Sequence, residues 1–215
     1  MLAQIATTPP GLAMSRIIDS KESGDAVRRE ERAAIEACLA GDASAFDALV
    51  VRHQKAIHRV CYRFTGNAED AADLTQDVFI RAYRSLAKFR GTSAFSTWLY
   101  RIAVNVCLSF KASRKNRSEE WDETHDVAAE GPSIEDALDG QKSARTVRAA
   151  LEALPEKQRL TVIMKILEER THSEVAEILG SSVGTVKGNL FFAIRNLRKL
   201  LAATADFRAT GGRAS

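Results

Sequence analysis

The residues of this sequence that are best suited to chemistry lie in one stretch, 89–117, where aromatic and basic side chains alternate. On a helix from about Ala94, five apolar side chains form one stripe: Phe95, Leu99, Ile102, Val106 and Phe110. Another face is polar, and it consists of Arg101, Asn105, Ser109, Lys115 and Asn116. Trp98 falls on the border, where an indole could offer its flat face to an unpaired base, a contact worth about 1–3 kcal/mol. The stretch therefore predicts a surface that opens DNA, although a Trp98 that merely completes a helical core is the alternative.

A helix with an acidic face is predicted just before this stretch. Asn67 is its expected N-cap, and Glu69 and Asp70 lie in the first turn, near the positive end of the helix dipole. One side combines polar residues with an isoleucine: Asp73, Gln76, Asp77 and Ile80. Because a solvated face rarely needs an isoleucine, we interpret this side as a surface for a protein partner. A plain acidic face is the alternative.

A helix-turn-helix is predicted near the end of the chain. Thr171 and Glu174 form a capping box, Gly180 makes the turn, and Ser181 is the expected N-cap of the second helix. Its exposed first half would enter a major groove through Ser182, Thr185, Lys187 and Asn189. Three cations further along would meet or flank phosphates: Arg195, Arg198 and Lys199. Phe191 and Phe192 are interpreted as core or, if exposed, as part of a partner-binding patch.

The length favours two small domains over one large core, and the helical patterns along the chain make the expected fold all-α. The chain has 215 residues, of which 45% are hydrophobic and 27% charged, and its net charge is only +3. The three cysteines are too dispersed for a disulfide framework or a metal site, and a reducing cytoplasm is expected. No apolar run approaches the roughly 20 residues of a membrane span, and neither His53 nor His58 has a partner at metal-ligand spacing. We expect no cofactor, no metal, no catalytic site and no membrane insertion.

The predicted boundaries follow changes in charge and periodicity. We expect a disordered tail over 1–28, a helical domain over 29–117, a flexible acidic linker over 118–144, a second helical domain over 145–203, and a frayed tail over 204–215. Every formal charge from Glu119 to Asp139 is negative, which is typical of a solvated tether and also suits a basic groove. Met14 is a candidate native start.

DLTQDVF followed by FRGTSAFSTWLYRIAVN resembles the second conserved region of extracytoplasmic-function (ECF) sigma factors, a group of the sigma-70 family. The resemblance implies that the acidic helix binds core RNA polymerase through Asp73, Gln76, Asp77, Phe79 and Ile80, although Phe79 could instead support the helix from the core. It implies that the following stretch captures the melted minus-10 strand and the adjoining duplex, through Phe89, Arg90, Ser93, Trp98, Arg101, Asn105, Lys111, Arg114 and Lys115.

LPEKQR, EVAEILG and VGTVK resemble the fourth sigma region, which reads the minus-35 element. The resemblance implies minus-35 contacts by Ser182, Thr185, Lys187, Asn189 and Arg195. Many relatives continue with Ser-Arg and further basic residues, whereas this helix has Gly188, Asn189, Phe192 and Ile194. Fewer cations imply weaker phosphate attraction and a flatter salt dependence. Minus-35 preference is thereby left open.

The partners that the resemblance implies are core RNA polymerase, at its beta-prime clamp and beta flap, and promoter DNA, both double-stranded and melted. It also implies an anti-sigma factor, although no residue identifies one. Two alternatives stay open from the residues alone. One is a helix-turn-helix regulator of another class, which needs no melting, and the other is an adaptor that binds polymerase without opening promoters.

Overall fold

The computed structural model describes the backbone of residues 10–120 and 146–210, and the side chains of residues 25–114 and 146–202. Every regular element in these ranges is a helix or a helical turn, so the predicted all-α class is confirmed. The predicted acidic linker lies outside the described residues, apart from its first three positions.

The first half consists of four long helices. These are α1 (Pro10–Leu39), α2 (Phe46–Thr65), α3 (Ala68–Ser85) and α4 (Phe95–Glu120), with short 3₁₀ turns at Ala43–Ala45 and Leu86–Lys88. The second half consists of α5 (146–152), α6 (Glu156–Val162), α7 (His172–Leu179) and α8 (Val183–Thr210). Helix α6 ends in a π-helical turn, Ile163–Leu167. Helix α1 begins at Pro10, within the stretch 1–28 for which a disordered tail was predicted, because proline suits a first helical turn and Ala, Glu and Arg favour its continuation.

The helix caps explain where several elements begin. The Asn67 side chain accepts hydrogen bonds from the backbone N–H groups of Glu69 and Asp70, at 2.8 and 3.0 Å, which confirms the predicted N-cap. The capping box of Thr171 and Glu174 is also confirmed. The N-cap of α8 was predicted one residue too early. Ser182 caps α8, because Gly180 adopts the left-handed conformation at φ 59° and the turn needs one residue more before the helix begins at Val183.

The core of the first half lies between α2, α3 and α4. Its fully buried side chains include Leu49, Ile57, Phe64 and Leu99. Cys61 and Cys107 are buried there as free thiols, and Cys38 is half-buried. A hydrogen bond to Cys61, together with burial, raises the pKa of the Cys107 thiol. This pair therefore belongs to the packed core of the bundle.

The two halves pack on each other, which the sequence did not predict. Leu160, Ile163 and Val175 are fully buried and belong to the same apolar cluster as the core of the first half. Helix α7 lies against α4, and the π turn lies against α2. Among the described residues, no helix has both the length and the apolar character that crossing a bilayer requires.

Candidate nucleic-acid and polymerase interface

A groove of about 320 Å³ lies beside the loop that joins α3 to α4, and we call it the Trp98 groove. Its wall from the first half consists of Lys88, Phe89, Arg90, Thr92, Ser93, Trp98, Arg101, Ile102 and Asn105. The structure thus brings together six residues that were predicted to contact minus-10 DNA: Phe89, Arg90, Ser93, Trp98, Arg101 and Asn105. Cations, amides and aromatic rings share this surface, as binding of a single strand requires.

The indole of Trp98 is half-buried, as its border position predicted. Its ring lies 5.3 Å from the Phe89 ring and 5.5 Å from the Phe95 ring, measured between centroids. Phe95 is only 2% exposed and packs near His53, whose Nε2 lies 2.8 Å from a carboxylate oxygen of Glu31. This support fixes one edge of the indole and leaves the other edge toward the groove. His53 is therefore a packed structural residue.

The remaining predicted minus-10 residues lie further along α4. Lys111 and Arg114 are exposed, and the Lys115 side chain lies outside the described residues. Arg114 donates a hydrogen bond to Asp70 at 3.0 Å and lies 5.5 Å from the centroid of the Phe110 ring. Because that ion pair is largely exposed, it is worth less than about 1 kcal/mol, and a phosphate could replace the carboxylate.

A second cavity, of about 570 Å³, lies on the other side of the same loop. Residues 89–95 form one wall, and α1 supplies the other through residues that include Arg28, Arg32 and Ile35. Sequence reasoning missed this contribution of α1, although a pair of arginines at i, i+4 spacing followed by an apolar residue was a readable signal. The loop therefore has a cavity on each side, and α1 lines the second one with glutamates as well as arginines.

The acidic face of α3 is exposed as predicted, with one correction. Asp73, Gln76 and Ile80 are exposed, and the Asp77 carboxylate accepts a hydrogen bond from Arg81 at 2.9 Å. Phe79 is only 8% exposed and packs edge-on against Phe46, so its ring does not belong to this surface and supports the helix from behind. The i, i+3 spacing from Ile80 places a further apolar ring on the face, that of Tyr83, which is 47% exposed and was not predicted.

The helix-turn-helix of α7 and α8 exposes the predicted reading residues. Ala176 and Val186 are buried where the two helices meet, which leaves the outer side of α8 free. Ser182, Thr185, Lys187 and Arg195 are exposed there, and Asn189 is partly exposed. The Ser182 hydroxyl also accepts a hydrogen bond from the backbone N–H of Thr185, so one predicted contact residue is engaged as the helix cap.

Phe191 and Phe192 are exposed, which excludes the interpretation that they belong to the core. Their side chains are 64% and 44% exposed, respectively, and their rings meet edge to face with centroids 5.5 Å apart. The guanidinium of Arg195 lies 5.1 Å from the Phe192 ring centroid. Two adjacent exposed rings on the outer side of α8 are suited to contact with a partner.

A carboxylate from the second half holds the two halves together. Glu168, whose side chain is 2% exposed, accepts hydrogen bonds from Arg59 at 2.8 and 2.6 Å and from Arg63 at 2.6 Å. Those hydrogen bonds raise the pKa of Arg59. Tyr100 is buried next to Glu168, with its hydroxyl 3.3 Å away, and the Arg170 guanidinium lies 4.7 Å from its ring.

A second arginine contact crosses the same boundary. Arg159 is only 4% exposed and donates hydrogen bonds to the carbonyl oxygens of Leu151 at 2.7 Å and of Phe64 at 2.8 Å. Gly66 closes α2 at φ 73°, a left-handed conformation that favours glycine, and its carbonyl oxygen accepts a hydrogen bond from Arg148 at 3.3 Å. This boundary is therefore closely packed as well as charged.

The packing of the second half against the first also places a residue of α7 in the Trp98 groove. Glu177 of α7 lines the groove opposite Trp98, Arg101 and Asn105. A carboxylate here has the charge of a backbone phosphate, and it would repel one at the same place. A nucleic-acid strand that fills the groove would therefore be repelled unless the exposed Glu177 side chain or α7 itself moves aside.

Comparison with known sequence families finds two matches in order along the chain. Residues 49–117 match the family described as "Sigma-70 region 2", and residues 144–197 match "Sigma-70, region 4". The first match contains α3 and the Trp98 groove wall, and the second contains the helix-turn-helix.

Curated relatives match over most of the chain. The RNA polymerase sigma-H factor of Pseudomonas aeruginosa is 34% identical over 183 residues, which cover 81% of this chain and 95% of the relative. The ECF RNA polymerase sigma factor SigW of Bacillus subtilis is 34% identical over 172 residues, covering 75% of this chain and 91% of the relative. Among solved structures, CnrH in complex with the cytosolic domain of CnrY has a TM-score of 0.60 at 26% identity, covering 81% of this chain and 98% of CnrH.

Proposed function

The chain belongs to the ECF group of the sigma-70 family of RNA polymerase sigma factors, and we propose that it uses three of its surfaces to bring polymerase to promoters and open them. It is a transcription initiation factor, and we propose no enzymatic role for it. The observation that carries the proposal is the Trp98 groove, where a supported indole, Arg101 and Asn105 share one surface. The cytoplasm is the proposed place of action.

We assign core polymerase binding to the acidic face of α3. Asp73, Gln76 and Asp77 supply a negative and polar rim around two exposed apolar side chains, those of Ile80 and Tyr83. A polar rim around apolar centres is the usual composition of a protein interface. The negative rim favours a partner surface of positive potential and speeds the encounter with it.

Capture of the melted minus-10 strand is assigned to the Trp98 groove. Unstacking a base costs a few kcal/mol, and stacking on an aromatic side chain returns about 1–3 kcal/mol of it. Because Phe89 and Phe95 hold the indole in place, little conformational entropy is lost when a base stacks on it. Arg90 and Arg101 can neutralise the phosphates of the captured strand.

Minus-35 recognition is assigned to the outer side of α8. Thr185, Lys187 and Asn189 lie on its first turns, where a recognition helix contacts base edges. Arg195 lies further along the same side and is suited to phosphate contact.

The test of this function is transcription in vitro with core polymerase from the same organism on fragments of its genome. Discrete start sites that require this chain are expected, and their aligned upstream DNA gives the promoter sequence. Core binding without any new start site would support the adaptor. Failure to bind core, combined with tight binding to intact duplex, would support a regulator of another class.

Trp98→Ala should weaken promoter opening while leaving core binding intact. Loss of stacking on one base is expected to cost about 1–3 kcal/mol, which is roughly a 5- to 150-fold loss of open complex. Permanganate reactivity of minus-10 thymines measures this directly, and Trp98→Tyr, which keeps a ring, is the matched control. Unchanged reactivity in a folded Trp98→Ala variant would refute the role of the indole.

Gly188→Ala should stabilise the chain and impair minus-35 recognition. A Cβ atom at Gly188 meets nothing within 4 Å, so the methyl group fits the free protein, and alanine in a helix gains about 0.5–1 kcal/mol over glycine. Minus-35 DNA that contacts the backbone of α8 at Gly188 would be held further away by the added methyl group, which weakens its binding. Thermal unfolding and transcription are the measurements, and a promoter with a scrambled minus-35 element is the control. Equal transcription by both proteins from the intact promoter would contradict the assigned DNA-facing side.

We further propose that the chain is bound by a regulatory protein. CnrH, which shares this fold at 26% identity, has been solved in complex with the cytosolic domain of CnrY. The exposed apolar residues of α3, Ile80 and Tyr83, lie where such a partner could compete with polymerase. Co-purification of the chain from its native host would identify the partner.

A further inference from the structure

The aromatic pair Phe191 and Phe192 continues the DNA-facing side of α8. At 3.6 residues per turn, Thr185, Asn189 and Phe192 follow one another at i, i+4 and i+7, and Phe191 follows Lys187 at i+4. The pair therefore extends both rows of exposed residues that begin at the N-terminus of the recognition helix. It is continuous with the surface assigned to the minus-35 element.

The charge around the pair favours nucleic acid as the partner. Residues 181–205 contain no aspartate or glutamate, and their charged residues are all cations: Lys187, Arg195, Arg198 and Lys199. Lys187 and Arg195 bracket the two rings along the helix, and the Arg195 guanidinium stacks on the Phe192 ring. Apolar rings flanked by the cations of α8 suit a polyanion that also carries apolar groups.

Duplex DNA carries such a group in its major groove. The 5-methyl of thymine is the apolar feature of the base edges there, and it is contacted by apolar side chains, including phenylalanine. Arginine or lysine would instead select guanine through O6 and N7. We propose that Phe191 and Phe192 read thymine 5-methyl groups in the minus-35 element, so that this chain selects thymine through apolar contact. This inference rests on the proposed function.

The proposal is tested by removing the methyl group alone. On a promoter obtained from the transcription experiment, each minus-35 thymine is replaced in turn by deoxyuridine, and occupancy by the holoenzyme is measured. At one or more positions the replacement should lower occupancy about threefold to fivefold, as expected for one buried methyl group. Phe192→Asn or Phe191→Asn should abolish this sensitivity, Phe192→Leu should retain it, and deoxyuridine in the spacer should have no effect.

Several results would overturn the proposal. The proposal fails if the minus-35 element has no thymine on either strand. It also fails if a wild-type holoenzyme that makes discrete starts binds equally well with deoxyuridine at every minus-35 thymine. Neither result contradicts the proposed function. Asparagine variants that bind core more weakly, but whose holoenzyme at saturating concentration keeps the methyl sensitivity, would identify the pair as a protein contact and overturn the proposal. If the wild-type chain makes no start site at all, the proposed function fails, and this inference fails with it.

Discussion

Asp77→Lys is expected to weaken binding to core RNA polymerase by roughly thirtyfold or more and to leave the fold intact. The Asp77 carboxylate lies on the exposed face of α3, and its side chain is 44% exposed. Lysine would place a cation in the acidic rim and next to Arg81, which now donates to Asp77 at 2.9 Å. Like charges across an interface cost several kcal/mol, so a loss of about 2 kcal/mol or more, roughly thirtyfold in affinity, is expected.

The measurement is titration of core polymerase with the labelled chain, with circular dichroism to confirm helicity. Glu36→Lys is a matched control. It breaks another exposed ion pair at i, i+4 spacing, in which Glu36 lies 3.0 Å from Arg32. Helix α1, which carries this pair, has no assigned polymerase contact. The control should bind core like the wild-type chain. Wild-type affinity in a folded Asp77→Lys variant would refute the assignment of α3.

Local features of this fold were predictable because they depend on a few neighbouring residues. The Asn67 cap and the Thr171 capping box use side chains that lie two or three positions from the groups they satisfy. The amphipathic stripe that begins at Phe95 likewise follows from helical periodicity, as does the position of Trp98 at its border. In each case local chemistry and tertiary packing favour the same conformation.

Features that depend on distant segments were not predictable in this way. Arg59 and Glu168 are far apart in sequence, and no period or spacing pairs them. The position of Glu177 in the Trp98 groove follows from how α7 packs on α4, and so it was missed too. The Phe191 and Phe192 pair was left open, since an apolar pair in a helix reads as core until the neighbouring helices are placed.

The contact of Glu168 with Arg59 and Arg63 leads to a prediction in which one substitution lowers stability and improves binding of a single strand. Glu168→Gln keeps the shape of the side chain and removes its charge, which leaves Arg59 and Arg63 without their shared carboxylate. A fully buried pair broken in this way costs 3–5 kcal/mol, and solvent reduces that cost here because the arginine side chains are 49% and 28% exposed. A loss of about 2 kcal/mol in the free energy of unfolding is expected, measured by denaturant titration.

The same substitution should improve binding of a minus-10 single strand by the free chain. A strand that enters the Trp98 groove meets the Glu177 carboxylate, and we expect its apparent affinity to rise with the fraction of molecules in which α7 has moved aside. Weakening the Glu168 contact raises that fraction, and fluorescence titration with a labelled oligonucleotide should show several-fold tighter binding. Glu169→Gln, the same change at the exposed neighbouring residue, should alter neither quantity. General destabilisation alone gives no gain in affinity for the strand. A Glu168→Gln variant that is less stable and binds the strand no better than the wild-type chain would therefore show that α7 does not obstruct the groove.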